Sequence, residues 1–154
     1  WLPKRWPVEY WANLADKLIL DFKAKIIITG SSSDVALVRE IEKSMKEKPI
    51  VACGALNIKQ LAALCKRLDC FISADTGPLH IANAVKTKKI IAIFGPTDPA
   101  ITGPFPQVNV IILRKDIGCK TPCYAINCKD NRCMKAITHE DVLREIKKFI
   151  DFKK

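Results

Sequence analysis

The sequence predicts an α/β fold with a mostly parallel sheet and helices on both faces, and two alternating patterns carry this prediction. Short runs of β-branched and aliphatic residues recur along the chain, and they are continuous rather than interrupted by polar residues. Continuous runs are typical of strands covered on both faces, as in a parallel sheet. Between the runs, apolar residues recur at helical spacing, so strand and helix alternate through most of the chain.

Five runs predict strands, and most of them end at glycine or serine. They are Ile26–Gly30, Val51–Gly54, Cys70–Ser73, Ile90–Gly95 and Val108–Leu113. Ligands bind parallel sheets at the carboxyl ends of the strands, and small, polar or glycine-containing segments follow the first four runs. We expect these segments to form one binding rim: Thr29–Asp34, Gly54–Asn57, Asp75–His80 and Gly95–Pro99. The G-x-G-x-x-G and Walker sequences do not occur in the chain.

Helical spacing predicts the intervening helices. A first helix follows Pro7, and a last helix over about 139–152 begins at Thr138, where Asp141 completes a capping box. The apolar residues expected on the inner helix faces are Trp11, Leu14, Ala15, Leu18, Val38, Ile41, Met45, Ile58, Leu61, Ala62, Cys65, Val142, Ile146, Phe149 and Ile150.

The length, apolar runs and net charge of the chain indicate what class of protein it is. The 154 residues predict a single domain over 1–154, and no run approaches the roughly 20 apolar residues of a membrane span. We expect a piece of a longer protein, because the chain begins at Trp1 without an initiator methionine or a leader. The formal charge of +10 favours an anionic partner: nucleic acid, a phosphorylated ligand or an acidic membrane surface.

The turn Asp75–His80 is the most informative segment. A buried strand precedes it, a helix follows it, and Pro78 suits the first helical turn. Such a helix start is a seat for phosphate, with N–H groups from Gly77, Leu79 and His80. The alternative at this point is a well-capped turn without a ligand.

Seven cysteines divide into two groups. Cys53, Cys65 and Cys70 lie in apolar segments and are predicted to be small buried residues. The other four, Cys119, Cys123, Cys128 and Cys133, have the spacing C-x3-C-x4-C-x4-C. That spacing differs from paired zinc knuckles, so we predict an irregular packed excursion over 117–135 and no metal. The odd total favours a reducing compartment over a disulfide framework.

Several motifs in order give the chain a resemblance to a known family. They are Lys4-Arg5-Trp6-Pro7, Gly30 with Asp34, Asp75-Thr76-Gly77-Pro78-Leu79-His80, Phe94-Gly95-Pro96-Thr97-Asp98-Pro99 and the cysteine-rich segment ending at Cys133-Met134. The chain resembles the C-terminal half of glycosyltransferase family 9, the ADP-heptose:lipopolysaccharide heptosyltransferases. The resemblance covers essentially the whole chain and implies the Rossmann-like donor domain of a GT-B enzyme.

The resemblance also implies roles for individual residues. Thr76 and Gly77 would contact the diphosphate of ADP-heptose, with Asp75 and His80 near the sugar or phosphate and Lys4 facing the donor. Asp34 corresponds to a family glutamate that accepts from the ribose hydroxyls, although its side chain is one methylene shorter. Leu56 would line the adenine pocket.

The family's acceptor domain supplies the catalytic base and has no counterpart in this chain. We therefore expect the chain alone to bind the donor without transferring heptose, and no catalytic residue is assigned to it. The resemblance implies a lipid-linked phosphorylated acceptor, no cofactor and a cytoplasmic protein peripheral to the bacterial inner membrane. A rival interpretation is a non-enzymatic basic module that binds zinc and nucleic acid, but only Tyr124 supplies an aromatic residue near the cysteines.

Overall fold

The computed structural model describes residues 1–106, 108–125 and 127–149. The chain divides into two compact units, each built from two separate stretches of sequence. Unit 1 comprises Trp1–Trp6 and Ile58–Ile137, and unit 2 comprises Pro7–Asn57 and the chain from Thr138 onward.

The elements of unit 1 alternate between helix and strand. A short 3₁₀ helix at Leu2–Lys4 precedes them. In chain order they are α3 (Ile58–Cys65), β3 (Phe71–Ala74), α4 (Gly77–Ala84), β4 (Ile90–Ile93), α5 (Pro99–Thr102), β5 (Val110–Leu113) and α6 (Arg132–Lys135).

Unit 2 holds the remaining elements. A short 3₁₀ helix at Ser32–Asp34 leads directly into the helix that begins at Val35. The elements are α1 (Val8–Phe22), β1 (Ile27–Ile28), α2 (Val35–Ser44), β2 (Ile50–Val51) and α7 (His139–Lys147).

Every described strand pair is parallel, which confirms the predicted sheet type. In unit 1 the order is β3–β4–β5, with Phe71 opposite Ile90 and Ile90 opposite Val110. In unit 2, β1 pairs with β2, and Ile27 lies opposite Ile50. Helices alternate with these strands as predicted, so the α/β class is confirmed.

Burial of the strands differs from the prediction. Only the middle strand of unit 1, β4, is buried at every residue among the described strands. The β2 residues Ile50 and Val51 are 54% and 44% exposed, and Ile112 of β5 is 42% exposed. The faces of a strand are covered by the helices packed against the sheet, so a continuous apolar run does not by itself specify burial on both faces.

The predicted inner helix faces are confirmed in α1 and in most of α7. Leu14, Ala15 and Leu18 are buried, and Pro7 is the N-cap of α1. Thr138 and Asp141 form the predicted capping box of α7. Ile58 is the exception, because it is 73% exposed at the start of α3. The last helix ends at Lys147, with Lys148 as its C-cap, before the end predicted near residue 152. Ile150 and residue 152 lie outside the described residues.

Two side chains anchor the N-terminal stretch within unit 1. The buried Trp6 indole donates from Nε1 to the carbonyl of Ile137 at 2.7 Å. Asn131 donates from Nδ2 to the carbonyl of Arg5 at 2.8 Å. These contacts hold the segment that carries Lys4 against residues more than a hundred positions away.

Among the described helices, none is long and apolar enough to cross a membrane.

Gly95 follows β4 at a place where packing excludes a side chain. A Cβ atom there would lie 2.4 Å from Met134 Sδ and 3.0 Å from Cys133 Sγ. Because Met134 is fully buried, we expect Gly95→Ala to lower the free energy of unfolding by about 1–3 kcal/mol. Gly77→Ala is the matched control, since no atom lies within 4 Å of its added methyl group. Urea denaturation of both variants measures the difference, and equal losses would contradict overpacking at Gly95.

Candidate functional site

The turn between β3 and α4 has the predicted form. Asp75 and Thr76 follow the strand, α4 begins at Gly77, and Pro78 lies in the first helical turn. Thr76 is the extended N-cap residue, and its carbonyl accepts the N–H of Leu79 at 3.1 Å. Leu79 is therefore not one of the phosphate donors that the sequence predicted, because its N–H is used within the turn.

The start of α4 is open to solvent. Thr76 and Gly77 are exposed, and the space beside the Gly77 Cα atom, where a side chain would begin, is empty to 4 Å. Neither a crowded neighbour nor a left-handed backbone requires glycine at this position. A helix start carries partial positive charge and N–H groups without intrahelical partners. The arrangement can receive an anion that approaches the backbone closely.

Asp75 is the buried polar centre beside this helix start. Its carboxylate oxygen Oδ2 accepts from Lys4 Nζ at 2.7 Å and from Thr102 Oγ1 at 3.0 Å. Lys4 Nζ also donates to the Asp75 carbonyl at 3.2 Å. Burial alone would raise the pKa of the Asp75 carboxyl, but hydrogen bonds from Lys4, Thr97 and Thr102 and the charge of Lys4 outweigh burial and lower it.

This network joins three segments of unit 1. Lys4 comes from the 3₁₀ helix, Asp75 from the end of β3 and Thr102 from α5. Asp98 caps α5 by accepting the N–H of Ala100 at 2.9 Å, which fixes the short helix that carries Thr102. The sequence did not indicate Thr102, because nothing in its neighbourhood marks which hydroxyl after the F-G-P-T-D-P motif turns toward Asp75.

His80 lies at the edge of this group. Its Nε2 is 3.9 Å from Asp75 Oδ1, which is too far for a hydrogen bond, and its side chain is 48% exposed. Of the residues predicted in this turn, Asp75 is thus held from within the protein, whereas Thr76, Gly77 and His80 face solvent.

Unit 2 holds Asp34 and Leu56. Asp34 Oδ2 accepts from the Ser31 backbone N–H at 2.9 Å and from Ser31 Oγ at 2.6 Å, which completes a capping box. The loops after β1 and β2 meet where the Gly54 N–H donates to the Gly30 carbonyl at 2.9 Å. Leu56 is half-buried in the segment between β2 and α3.

The cysteines differ in their surroundings. Cys65 is fully buried as predicted, but Cys53 and Cys70 are only half-buried. Burial raises the pKa of the Cys70 thiol to about 12. Cys119, Cys123, Cys128 and Cys133 are unpaired and line one cavity of about 160 Å³ in unit 1. Within residues 1–106, 108–125 and 127–149, no group of three or more His, Cys, Asp or Glu is arranged to hold a metal ion.

Comparison with known proteins gives consistent matches. The model of glycosyltransferase family 9 (heptosyltransferase) matches residues 1–133. The lipooligosaccharide heptosyltransferase 2 of Campylobacter jejuni subsp. jejuni serotype O:6 is 35% identical over 151 residues, which cover 94% of this chain and 46% of that protein. The chain thus spans about half the length of the curated relatives that it matches.

Solved structures agree in fold. A family 9 glycosyltransferase from Veillonella parvula aligns with a TM-score of 0.83 at 29% identity, covering 95% of this chain and 42% of that one. The ADP-heptose lipopolysaccharide heptosyltransferase II of E. coli aligns with a TM-score of 0.80 at 24% identity, with the same coverage, and this likeness shows the fold alone.

Asp75→Asn tests the buried network. Loss of a charged hydrogen-bond acceptor is expected to lower the free energy of unfolding by about 1.5–3 kcal/mol at neutral pH. Because folding lowers the pKa of Asp75, its stabilising effect is complete above about pH 4 and is lost as the pH falls through the lowered folded value. The free energies of unfolding of the wild type and of Asp75→Asn, measured by urea titration at a series of pH values, should therefore differ by a constant amount near pH 7 and converge in acid.

Asp69→Asn is the control for this experiment. Asp69 also accepts from a lysine, Lys88, at 2.6 Å, but its side chain is 86% exposed. An exposed ion pair contributes little, so this variant should stay close to the wild type across the urea titrations. A loss of unfolding free energy equal to that of Asp75→Asn would show that the burial of Asp75 does not account for its effect on stability.

Proposed function

We propose a function for this chain from its family: it belongs to glycosyltransferase family 9, and its role is to bind the nucleotide-sugar donor of a heptosyltransferase. The C. jejuni relative is a lipooligosaccharide heptosyltransferase, and the E. coli structural neighbour is named for ADP-heptose. We therefore propose ADP-heptose, or a closely related nucleotide sugar, as the ligand. The intact enzyme would transfer heptose to the inner core of lipopolysaccharide.

One observation carries this proposal: Lys4 is held at 2.7 Å by the buried Asp75, beside the open start of α4. Departure of ADP from the sugar develops negative charge on the diphosphate. Preorganised N–H groups and a lysine placed in advance stabilise such charge as it forms. We assign Thr76 and Gly77 to the diphosphate and Lys4 to the donor, while Asp75 orients Lys4. His80, exposed nearby, is assigned to the sugar or phosphate.

For unit 2 we propose the roles that the family resemblance implies. Asp34 would accept hydrogen bonds from the ribose hydroxyls, and Leu56 would contact the adenine. A carboxylate suits a ribose diol because it can accept two hydrogen bonds at once. Asp34 also stabilises the turn at Ser31 by accepting two hydrogen bonds there. A test of Asp34 must therefore distinguish the loss of this turn contact from the loss of a ribose contact.

Acceptor and location follow from the same family. We propose a lipid-linked phosphorylated acceptor that is bound outside this chain, and a cytoplasmic enzyme at the inner membrane. The formal charge of +10 suits both a diphosphate and an anionic lipid surface. The rival zinc and nucleic-acid module is not proposed, because family membership accounts for the chain without it.

Gly77→Val tests the diphosphate seat. We expect the 154-residue chain to bind ADP in a calorimetric titration and the variant to lose at least about tenfold in affinity, or about 1.4 kcal/mol. The branched side chain would occupy the space that the phosphate needs, yet the empty surroundings of Gly77 should let the chain fold. Ala63→Val, at an exposed position of α3, controls for a β-branched residue in a helix. Absence of heat with ADP and ADP-heptose at millimolar concentration, in a chain that melts cooperatively, would refute the proposal.

Asp34→Asn tests the ribose contact. Replacing a charged acceptor should weaken ADP binding by about tenfold, since such a hydrogen bond contributes roughly 1.5–3 kcal/mol. The affinity for 2′-deoxy-ADP should fall much less, because that ligand already lacks one hydroxyl. Ser31→Ala removes the hydroxyl that donates to Asp34 and keeps the backbone N–H and the carboxylate, so it should leave both affinities nearly unchanged. Equal losses for ADP and 2′-deoxy-ADP would mean that Asp34 acts only through the turn.

A further inference from the structure

The Asp75 carboxylate receives hydrogen bonds from two side chains that differ in mobility. Lys4 Nζ donates to Asp75 Oδ2 at 2.7 Å from a long, partly exposed side chain. Thr102 Oγ1 donates to the same oxygen at 3.0 Å from a short side chain. The proposed function gives Lys4 a second partner, the diphosphate, but it assigns nothing to Thr102.

The short helix α5 is fixed at both ends and holds Thr102 in place. At its start, the Asp98 carboxylate accepts the Ala100 N–H at 2.9 Å. At its end, the Gly103 N–H donates to the Pro99 carbonyl at 2.9 Å, and a Cβ atom at Gly103 would overlap that oxygen. Only glycine therefore permits this close ending directly after Thr102.

The Thr102 hydroxyl has a single hydrogen and two acceptors within reach. Besides Asp75 Oδ2, the Asp98 carbonyl oxygen lies 3.3 Å from Thr102 Oγ1. That carbonyl also accepts the Thr102 backbone N–H at 2.9 Å, so it keeps a hydrogen bond whichever way the hydroxyl points. Because a charged carboxylate is the stronger acceptor, the hydroxyl can point at Asp75 without leaving the Asp98 carbonyl unpaired.

Burial makes the second donor important for Asp75, which is 5% exposed. In the described part of the chain, the titratable side chains that face its carboxylate are Lys4 and, at 3.9 Å from Oδ1, His80. A buried carboxylate that loses its cation takes up a proton or holds the cation back. An arriving diphosphate therefore competes with Asp75 for Lys4, and any other donor to Asp75 weakens that competition.

We propose that Thr102 is a positioning residue of the donor site, whose hydroxyl stabilises the charged Asp75 carboxylate while Lys4 turns toward the diphosphate. This inference rests on the proposed donor role of Lys4. With the hydroxyl in place, Asp75 stays ionised during donor binding and is ready to accept the lysine again when ADP departs. Without the hydroxyl, Asp75 either retains Lys4 or takes a proton from solution when the diphosphate arrives.

A double-mutant cycle without nucleotide tests whether Thr102 can replace Lys4 as the partner of Asp75. The full chain is compared with Lys4→Met, Thr102→Val and the double variant by urea denaturation. Each single variant leaves Asp75 one of the two donors, whereas the double variant removes both. Its loss should therefore exceed the sum of the single losses by about tenfold in the unfolding equilibrium constant, or about 1.4 kcal/mol. The excess should shrink in acid, because protonation removes the charge, and additive losses would overturn the proposal.

Calorimetric titration with ADP tests the step in the donor site. Thr102→Val should bind ADP about tenfold more weakly than the wild type, because it loses a hydrogen bond to a charged group. Thr102→Ser keeps the hydroxyl and should restore the affinity.

Proton uptake on binding separates positioning from a merely structural role. At about pH 5.5, titrations in buffers of different ionisation enthalpy should show more proton uptake by Thr102→Val than by the wild type or Thr102→Ser, because Asp75 becomes protonated when it loses Lys4. His80 and ADP also titrate, but they contribute alike in all three proteins, so the difference reports on Asp75.

Ser44→Ala is the matched control. Ser44 is the last residue of α2, as Thr102 is of α5, and its Oγ likewise donates to the carbonyl four residues earlier, that of Glu40, at 2.9 Å. This variant should leave ADP affinity and proton uptake unchanged.

Two further results would overturn the proposal. One is weaker ADP binding by Thr102→Val with unchanged proton uptake, and the other is a failure of Thr102→Ser to restore the affinity. Either would mean that Thr102 only supports α5. A cooperatively melting wild type that binds no ADP would instead refute the proposed function, and the nucleotide-free cycle would still decide whether Thr102 stabilises the charge of Asp75.

Discussion

The candidate site of unit 1 depends on one buried carboxylate, that of Asp75. A carboxylate removed from water is costly unless hydrogen bonds or an opposite charge compensate it. Lys4 and Thr102 provide both, at 2.7 and 3.0 Å. Because Asp75 directly follows β3, which pairs with the fully buried β4, the sheet fixes the carboxylate and the carboxylate in turn fixes a lysine that would otherwise be free to rotate.

Other acidic residues of the chain compensate their charge differently. Asp16, which is buried in α1, accepts the backbone N–H groups of Lys46 and Glu47. Asp141 accepts the backbone N–H of Thr138 at the start of α7, together with side-chain donors from Thr138 and Arg144. Backbone donors of this kind are fixed in place by the fold. The donors to Asp75 are side chains, and an ammonium group can share its hydrogens between a carboxylate and an arriving phosphate. Aspartate therefore binds fixed backbone donors in unit 2 and a flexible lysine side chain in unit 1.

Local sequence patterns predicted the helices and strands well, but they predicted the burial and the long-range contacts of these elements less well. Pro78 after Asp75-Thr76-Gly77 indicated a strand-to-helix turn, and Thr138 with Asp141 indicated a helix start, because both signals act within four residues. The exposure of Ile50, Val51 and Ile58 could not be predicted, since it depends on what packs against each element. The pairing of Lys4 with Asp75 spans 71 positions and was not predicted: the family resemblance indicated each residue separately, and Thr102 was not indicated at all.

The contacts of Trp6 with Ile137 and of Asn131 with Arg5 have a consequence for biosynthesis. Lys4 leaves the ribosome before Asp75, and the residues that anchor the neighbours of Lys4 leave after almost all of unit 1 has been made. Until Asn131 and Ile137 emerge, the segment around Lys4 lacks these two anchors, although β3 and Asp75 have already been made. The anchoring of the segment that carries Lys4 is therefore completed only after the residues of the unit 1 sheet have been made.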